Sequence, residues 1–216
     1  MCIRDSINTR RADVAYGESE IILHGAPNIR EKLGNITFEI SANSFFQTNT
    51  EQAEKLFLVV QENAGLTGKE IVFDLFCGTG SISLFLARYA KEIYGFDVIK
   101  SAIEDATRNA VVNGIGNTIF QKVNLDTYFK KGRNLDDYPT PDVLILDPPR
   151  SGIHKNMVKS LPKFGSRRIV YVSCNPTTQA RDIIRLIHWG WKLQSMTLVD
   201  MFPHTPHIET VALLTK

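Results

Sequence analysis

Cys174, Asp147 and Glu209 each stand where a side chain able to do chemistry meets the end of an apolar run. Cys174 lies in Ser173-Cys174-Asn175-Pro176, between a strand-like run and a helical pattern that opens at Pro176 or Thr177. A thiol at the carboxyl end of a strand and beside a helix N-terminus sits near a positive dipole end. That environment lowers a thiol pKa from about 8.5 and favours the nucleophilic thiolate. The plainer reading of one cysteine is a small buried hydrophobe. Asp147 opens Asp147-Pro148-Pro149-Arg150. Paired prolines fix an extended, donor-free backbone and aim the acid out of the preceding strand, or they simply end it. Glu209 stands in the otherwise apolar segment 208–214 (IETVALL). An acid at the edge of a buried strand is either a rim charge or a base with a raised pKa. His204 and His207 precede it, but two histidines in a loop with prolines make a weak metal site, and no metal is expected.

A second group has the types that hold a ligand. The run Asp74-Leu75-Phe76-Cys77-Gly78-Thr79-Gly80 closes an apolar segment. Glycines there let the backbone pass close to a ligand, and the following helix offers free N–H groups. The dinucleotide fingerprint G-x-G-x-x-G is not met, because only Gly78 and Gly80 are present. The next strand-like run ends at Asp97, and a carboxylate there suits two ribose hydroxyls. Loop and acid together point to an adenosine-type ligand; a tight turn and a helix cap are the alternative. The missing glycine and lysine argue against pyrophosphate, whereas S-adenosylmethionine carries no phosphate and fits. Asn124, past the third inferred strand, suits either an adenine edge or a turn. Cys77 reads as packing, and terminal Cys2 has no assigned role.

The elements that must position these residues alternate. Residues 70–75, 92–97, 118–123, 142–147 and 168–173 read as strands, and 81–90, 101–113, 154–161 and 177–188 as helices, with Gly114 ending the second. Two closing strands are expected near 191–199 and 208–214. The expectation is an α/β, Rossmann-like, doubly wound and mostly parallel sheet. The loop between the last two strands is too short for a helical crossover, so they should pair antiparallel, which gives an antiparallel C-terminal strand. Ligands in such sheets bind beyond the carboxyl strand ends, where Asp97, Asp147 and Cys174 fall. Residues 1–65 show only a strand at 36–41 and a helix at 50–64 capped by Asn49 or Thr50. This divides the chain into an adjunct region with a linking helix, 1–65, and a catalytic domain, 66–216.

Bulk properties set broad limits. The chain has 216 residues, enough for one α/β domain with an extension. The net charge of +2 is too small to demonstrate a nucleic-acid partner by itself. Basic residues cluster at Arg10 and Arg11, at Lys130, Lys131 and Arg133, and at Arg167 and Arg168; solvated surface is the ordinary reading of each. The three cysteines are odd in number and widely spaced, which argues against a disulfide framework and an iron–sulfur or zinc site. No apolar run approaches the ~20 residues of a membrane span, and the N-terminus lacks a signal-peptide core, so a cytoplasmic location is expected.

Five ordered blocks then make a specific resemblance. They are SANSFFQTNTEQAEKL (41–56), DLFCGTGSISLFLA (74–87), DVLILDPPRSG (142–152), YVSCNPTTQARD (171–182) and VDMFPHTPHIETVALL (199–214). With these the chain resembles the RNA uracil-5-methyltransferases, the group of the 23S ribosomal RNA and tRNA m5U enzymes. The resemblance implies transfer of a methyl group from S-adenosylmethionine to C5 of a uridine in RNA, through a covalent Cys–uracil C6 adduct. It places the nucleophile on Cys174 and the general base on Glu209. It places cofactor contacts on Gln47, Phe76, Asp97 and Asp147, with further positions at Ser81 and Asn124. Position 97 is more often Glu in the family. Larger members carry an N-terminal RNA-binding barrel and sometimes a four-cysteine iron–sulfur site; this chain resembles the catalytic part and the end of the region before it, as a fragment would. Residues 1–6 (MCIRDS) fit no family pattern. Ribosomal RNA is the expected partner, with tRNA as the alternative, no membrane, and a monomer. Competing readings are an amino-group methyltransferase, which has N/D-P-P-Y/F where this chain has DPPR, and a non-catalytic fragment that binds RNA and cofactor.

Overall fold

The computed structural model describes residues 3–7, 19–42, 44–125, 127 and 138–216. Cys2, Arg10, Arg11, Lys130, Lys131 and Arg133 lie outside the described residues. Among the described residues the chain runs β1 (Ile3–Ile7), β2 (Ser19–His24), β3 (Ile29–Leu33), β4 (Ile36–Ile40), α1 (Thr50–Ala64), β5 (Ile71–Leu75), α2 (Ser81–Leu86), β6 (Glu92–Asp97), α3 (Lys100–Val112), β7 (Thr118–Lys122), β8 (Val143–Leu146), α4 (Lys155–Ser160), β9 (Arg168–Ser173), α5 (Pro176–His188), β10 (Lys192–Val199) and β11 (Glu209–Thr215).

Seven strands form one sheet in the order β10-β11-β9-β8-β5-β6-β7. β9, β8, β5, β6 and β7 are parallel neighbours, while β11 is antiparallel to both β9 and β10. This is the doubly wound, mostly parallel sheet with an antiparallel C-terminal strand that the residue pattern implies. The periodicity does not show that β11 inserts between β9 and β10.

The central strands are apolar on both faces because both faces are covered. Val72, Val143, Ile145, Val170 and Val172 join one core with residues of α1, α2 and β4. Phe73, Leu75, Leu144, Leu146, Ile169 and Tyr171 join a second core with residues of α4 and α5. Strand side chains alternate between faces, so neighbours in sequence serve different cores. Burying each Leu, Ile, Val or Phe contributes roughly 1.5–3 kcal/mol. α1 lays Ala53, Leu56, Phe57, Val60 and Ala64 against the first core. Asn49 is its N-cap, accepting from Gln52 N at 3.2 Å, and Gly65 ends it in the left-handed region at φ 59°.

Two parts of the chain depart from the expectation. The helix expected at 81–90 stops at Leu86, and Ala87–Tyr89 tightens to a 3-10 turn. Asn117 Nδ2 donates to Ala87 O at 2.8 Å and Ala90 O at 3.0 Å, satisfying carbonyls that a continuing helix would use. The N-terminal region holds two antiparallel hairpins, β1–β2 and β3–β4, where one strand is expected. The β3–β4 turn is Gly34-Asn35, with Gly34 at φ 57°. A two-residue Gly-Asn loop between apolar-alternating runs is the signal that marks it.

Candidate active site

The loop after β5 is held in a conformation that most side chains avoid. Phe76 has φ 99°, in the left-handed region, at a cost of about 1–3 kcal/mol. Two bonds to one carbonyl enforce it: Phe76 N and Cys77 N both donate to Phe96 O, at 2.9 and 3.0 Å. Gly80 has φ 78°, and a Cβ there would lie 2.9 Å from the Phe120 ring and 3.0 Å from Ala106. A Cβ on Gly78 would meet nothing within 4 Å, so the loop backbone borders open space at that point. Asp97 ties this loop to α3: its Oδ2 accepts from Gly78 N and its Oδ1 from Ile99 N, both at 2.9 Å. Ser81 is the first residue of α2.

Asp74, beneath the loop, had no role assigned from sequence. It is 1% exposed, takes a 2.6 Å bond from Ser83 Oγ on Oδ2, and has no partner on Oδ1. Burial, reinforced by the nearby charge of Asp97, pushes its pKa up to about 7. The available signal was an acid inside the otherwise apolar run 71–75. Cys77 is buried, and burial raises its thiol well above the usual range, which agrees with a packing role. Asn124, exposed beyond β7, accepts from Thr127 N at 3.0 Å and so serves the turn.

Cys174, Glu209, Asp147 and Arg150 form a second cluster at the carboxyl ends of β8 and β9. β11 pairs with β9 in the register Thr210↔Ser173. Carried one residue further, that antiparallel register sets Glu209 opposite Cys174, and opposed side chains share a face about 5 Å apart. The register is locked from below. The one Thr210 hydroxyl proton is shared between Gln179 Oε1 at 2.7 Å and Ser173 O at 3.1 Å, while Gln179 Nε2 donates to Tyr171 O at 2.8 Å. Asn175 caps α5, accepting from Thr177 N and Thr178 N. Its Nδ2 and Thr178 Oγ1 both donate to Arg150 O at 3.1 Å, which fastens the Asp147–Gly152 turn to the helix that follows Cys174.

The electrostatics correct one expectation. The Cys174 thiol is raised where the helix N-terminus beside it predicts a lowered one; burial and the carboxyl of Glu209 raise it. The charge of Arg150 opposes the rise, and that of Asp147 adds to it. Burial likewise lifts Glu209, 7% exposed, to about 7, with Arg150 pulling the other way. Asp147 is raised well above the carboxylate range by burial and by the charges of Glu209 and Asp74.

Gln47 lies on a different element, the segment between β4 and α1. A cleft of about 600 Å³ opens there, lined by Ser41, Ser44, Phe46, Gln47 and Thr48 among others. Asp97, Asp147, Cys174 and Glu209 do not line it. Phe46 turns inward onto Phe38, with ring centroids 5.1 Å apart, whereas Phe45 is 73% exposed. Among the described residues no group of three or more His, Cys, Asp or Glu is arranged to hold a metal, and no helix is long and apolar enough to cross a membrane.

Comparison with known proteins now bears on this arrangement. The family model of tRNA (uracil-5-)-methyltransferases matches residues 20–216. The chain belongs to that family. It is 44% identical over 212 residues to an uncharacterized RNA methyltransferase of Chlorobaculum tepidum, covering 98% of this chain and 44% of the relative. An uncharacterized RNA methyltransferase of Enterococcus faecalis is 44% identical over 214 residues, covering 99% of this chain and 46% of that one. Among solved structures, the Pyrococcus abyssi tRNA (uracil-54, C5)-methyltransferase in complex with S-adenosyl-L-homocysteine superposes with a TM-score of 0.78 at 37% identity. That match covers 99% of this chain and 50% of the Pyrococcus chain. The chain thus spans about half the length, or somewhat less, of these family relatives.

Proposed function

We propose that this chain carries the catalytic machinery that methylates C5 of a uridine in RNA, with Cys174 as nucleophile and Glu209 as proton acceptor. The observation that carries the reading is the β9–β11 register, which brings a thiol and a buried acid from distant segments to one place. Family membership and the S-adenosyl-L-homocysteine complex of the Pyrococcus relative support it.

The residues present fit S-adenosylmethionine. Gly78 borders open space, Asp97 stands at the strand end suited to ribose, and Asp74 Oδ1 is a buried acceptor without a partner. In this reading Gln47, Phe76, Asp97 and Asp147 hold the cofactor, with Ser81 and Asn124 at the margin of the site. When bound, it supplies an electrophilic methyl group to the C5 carbon of the base. The chain's own residues do the rest. The Cys174 thiolate adds at C6 of uracil, and the electron pair of the C5–C6 double bond makes C5 nucleophilic. The positive charge of Arg150 favours the thiolate against burial and Glu209. After C5 has gained its methyl group, Glu209 removes the C5 proton, the C6–S bond breaks, and the ring double bond returns. A carboxyl with a pKa near 7 is suited to that proton transfer.

The base must leave its stack to reach Cys174, at a cost of a few kcal/mol. Phe45, two residues before Gln47, is exposed and offers a stacking surface, while Phe46 and Phe202 are packed against the core. For the class of RNA, the sequence blocks favour ribosomal RNA, and the similarity to the Pyrococcus tRNA (uracil-54, C5)-methyltransferase favours tRNA. Residues 1–65 form the adjunct region and 66–216 the catalytic domain in this reading. The test is methyl transfer from labelled S-adenosylmethionine to unmodified 23S ribosomal RNA and tRNA, with nucleoside analysis. The expected product is 5-methyluridine, absent with Cys174→Ala. A methylated amino group, or full turnover by Cys174→Ala, overturns the reading.

A further inference from the structure

The open edge of β4 is not left bare. Among the described residues, strand β4 pairs with β3 alone, on one side. On the other side its backbone, and that of Ser41 just past its end, bonds to two side chains of α3 and to that helix's C-cap, Asn113. Asn113 Oδ1 accepts from Thr37 N at 2.9 Å and its Nδ2 donates to Thr37 O at 2.7 Å. Asn109 Oδ1 accepts from Glu39 N at 2.7 Å. Asp105 Oδ2 accepts from Ser41 N at 3.2 Å. The spacing explains the fit. Four residues of helix rise about 6 Å, and two residues of strand about 6.7 Å. Side chains at 105, 109 and 113 therefore keep step with alternate residues 41, 39 and 37, and the helix face stands in for a neighbouring strand.

The last rung does more than cover an edge. Asp105 is 2% exposed, and its Oδ2 also accepts from Ser41 Oγ at 2.7 Å and Ser44 Oγ at 2.5 Å. The two hydroxyls lie 2.9 Å apart, and Ser44 N donates to Ser41 O at 3.1 Å, closing a turn around the carboxylate. Arg108 neutralises the carboxylate through Oδ1. From this turn the chain runs directly into Phe45, Phe46 and Gln47. The same helix starts at Lys100, just after Asp97, the acid assigned to the ribose.

We propose that Asp105 is the positioning residue for Gln47. Through Ser41 and Ser44 it sets where the segment leaves β4, and so places Gln47 relative to the Asp97 side of the cofactor site. The inference rests on the assignment of Gln47 to S-adenosylmethionine. Asp105 itself touches neither cofactor nor base.

The experiment is calorimetric titration of S-adenosylmethionine into the full chain, for wild type, Asp105→Asn, Ser44→Ala, Gln47→Ala and the double variants. Asp105→Asn keeps the shape but leaves the three donors one neutral acceptor. It should weaken binding about ten-fold, as the misplacement of one hydrogen bond does, and Ser44→Ala should weaken it by a smaller factor in the same direction. In turnover, KM for the cofactor should rise with little change in kcat. In the Gln47→Ala background both substitutions should lose most of their effect, because residues that act through one another are not additive. If Asp105→Asn fails to fold, Ser44→Ala, which removes a single hydroxyl, carries the same comparison. Undiminished effects in the Gln47→Ala background, or unchanged affinity in Asp105→Asn and Ser44→Ala, overturn the proposal. If Gln47→Ala itself binds as tightly as wild type, the assignment of Gln47 falls and the inference falls with it. If Gln47→Ala weakens binding and the Asp105 and Ser44 variants do not, only the inference falls.

Discussion

Asp74→Asn tests whether the acid beneath the glycine loop is held protonated by its surroundings. In the folded chain burial raises this carboxyl from 3.8 to about 7, with the Asp97 charge adding to it. Its pKa is therefore higher folded than unfolded. The stabilisation from holding the proton is complete below about pH 4 and is lost as pH rises to about 7, because the unfolded chain gives up the proton first. At about 1.4 kcal/mol per pH unit, the rise from 3.8 to about 7 corresponds to about 4 kcal/mol lost over that interval. Asparagine keeps the shape and an acceptor for Ser83 Oγ but cannot titrate, so its stability lacks this slope. The assay is urea unfolding of both proteins at pH 4.5 and pH 8. Relative to wild type, Asp74→Asn should gain about 3–4 kcal/mol between these conditions, a shift of about 2 M in urea midpoint at a slope near 2 kcal/mol per M. Asp147 is also raised by Asp74, so losing that charge acts in the same direction. Other titrating groups largely cancel in the difference between the two proteins. Parallel pH profiles would refute the argument that Asp74 is protonated by burial.

Glu209→Gln should leave addition of Cys174 intact but block loss of the C5 proton, leaving a methylated RNA–protein adduct seen as a slow band in a denaturing gel; a rapid release of RNA would remove Glu209 as the base. In the wild type the single-turnover rate should climb as pH rises through about 7, since a proton acceptor must be ionised and Glu209 titrates there; a rate that falls over that range contradicts the assignment. Gly80→Ala places a Cβ at φ 78° and within 3.0 Å of Phe120 and Ala106, and should cost about 2 kcal/mol in thermal unfolding, with weaker cofactor binding. Asp182→Ala leaves Ile153 N and Tyr171 OH without their buried acceptor and Arg181 and Arg185 without their ion-pair partner, a loss of about 3–5 kcal/mol by chemical denaturation; a loss under 1 kcal/mol would show that the tie between α5 and Ile153 is not structural.

Much of the frame was legible in the residues because it depends on local pattern. Runs such as VLIL at 143–146, apolar on both faces, identify central parallel strands, and Gly78, Gly80 and Asp97 lie at strand ends where such sheets bind ligands. The family-like sequence blocks single out Cys174 and Glu209 as the residues proposed for nucleophile and base, without any geometry. Tertiary structure alone decided three things. The insertion of β11 beside β9 is a choice between strand edges that periodicity does not record, and it is what sets Glu209 opposite Cys174. The direction of the Cys174 shift depends on burial and on the charges of Glu209, Arg150 and Asp147 that the fold brings beside it. The role of Asp105 rests on a match between the rise of a helix and that of a strand 64 residues away in sequence, and only packing them together shows it.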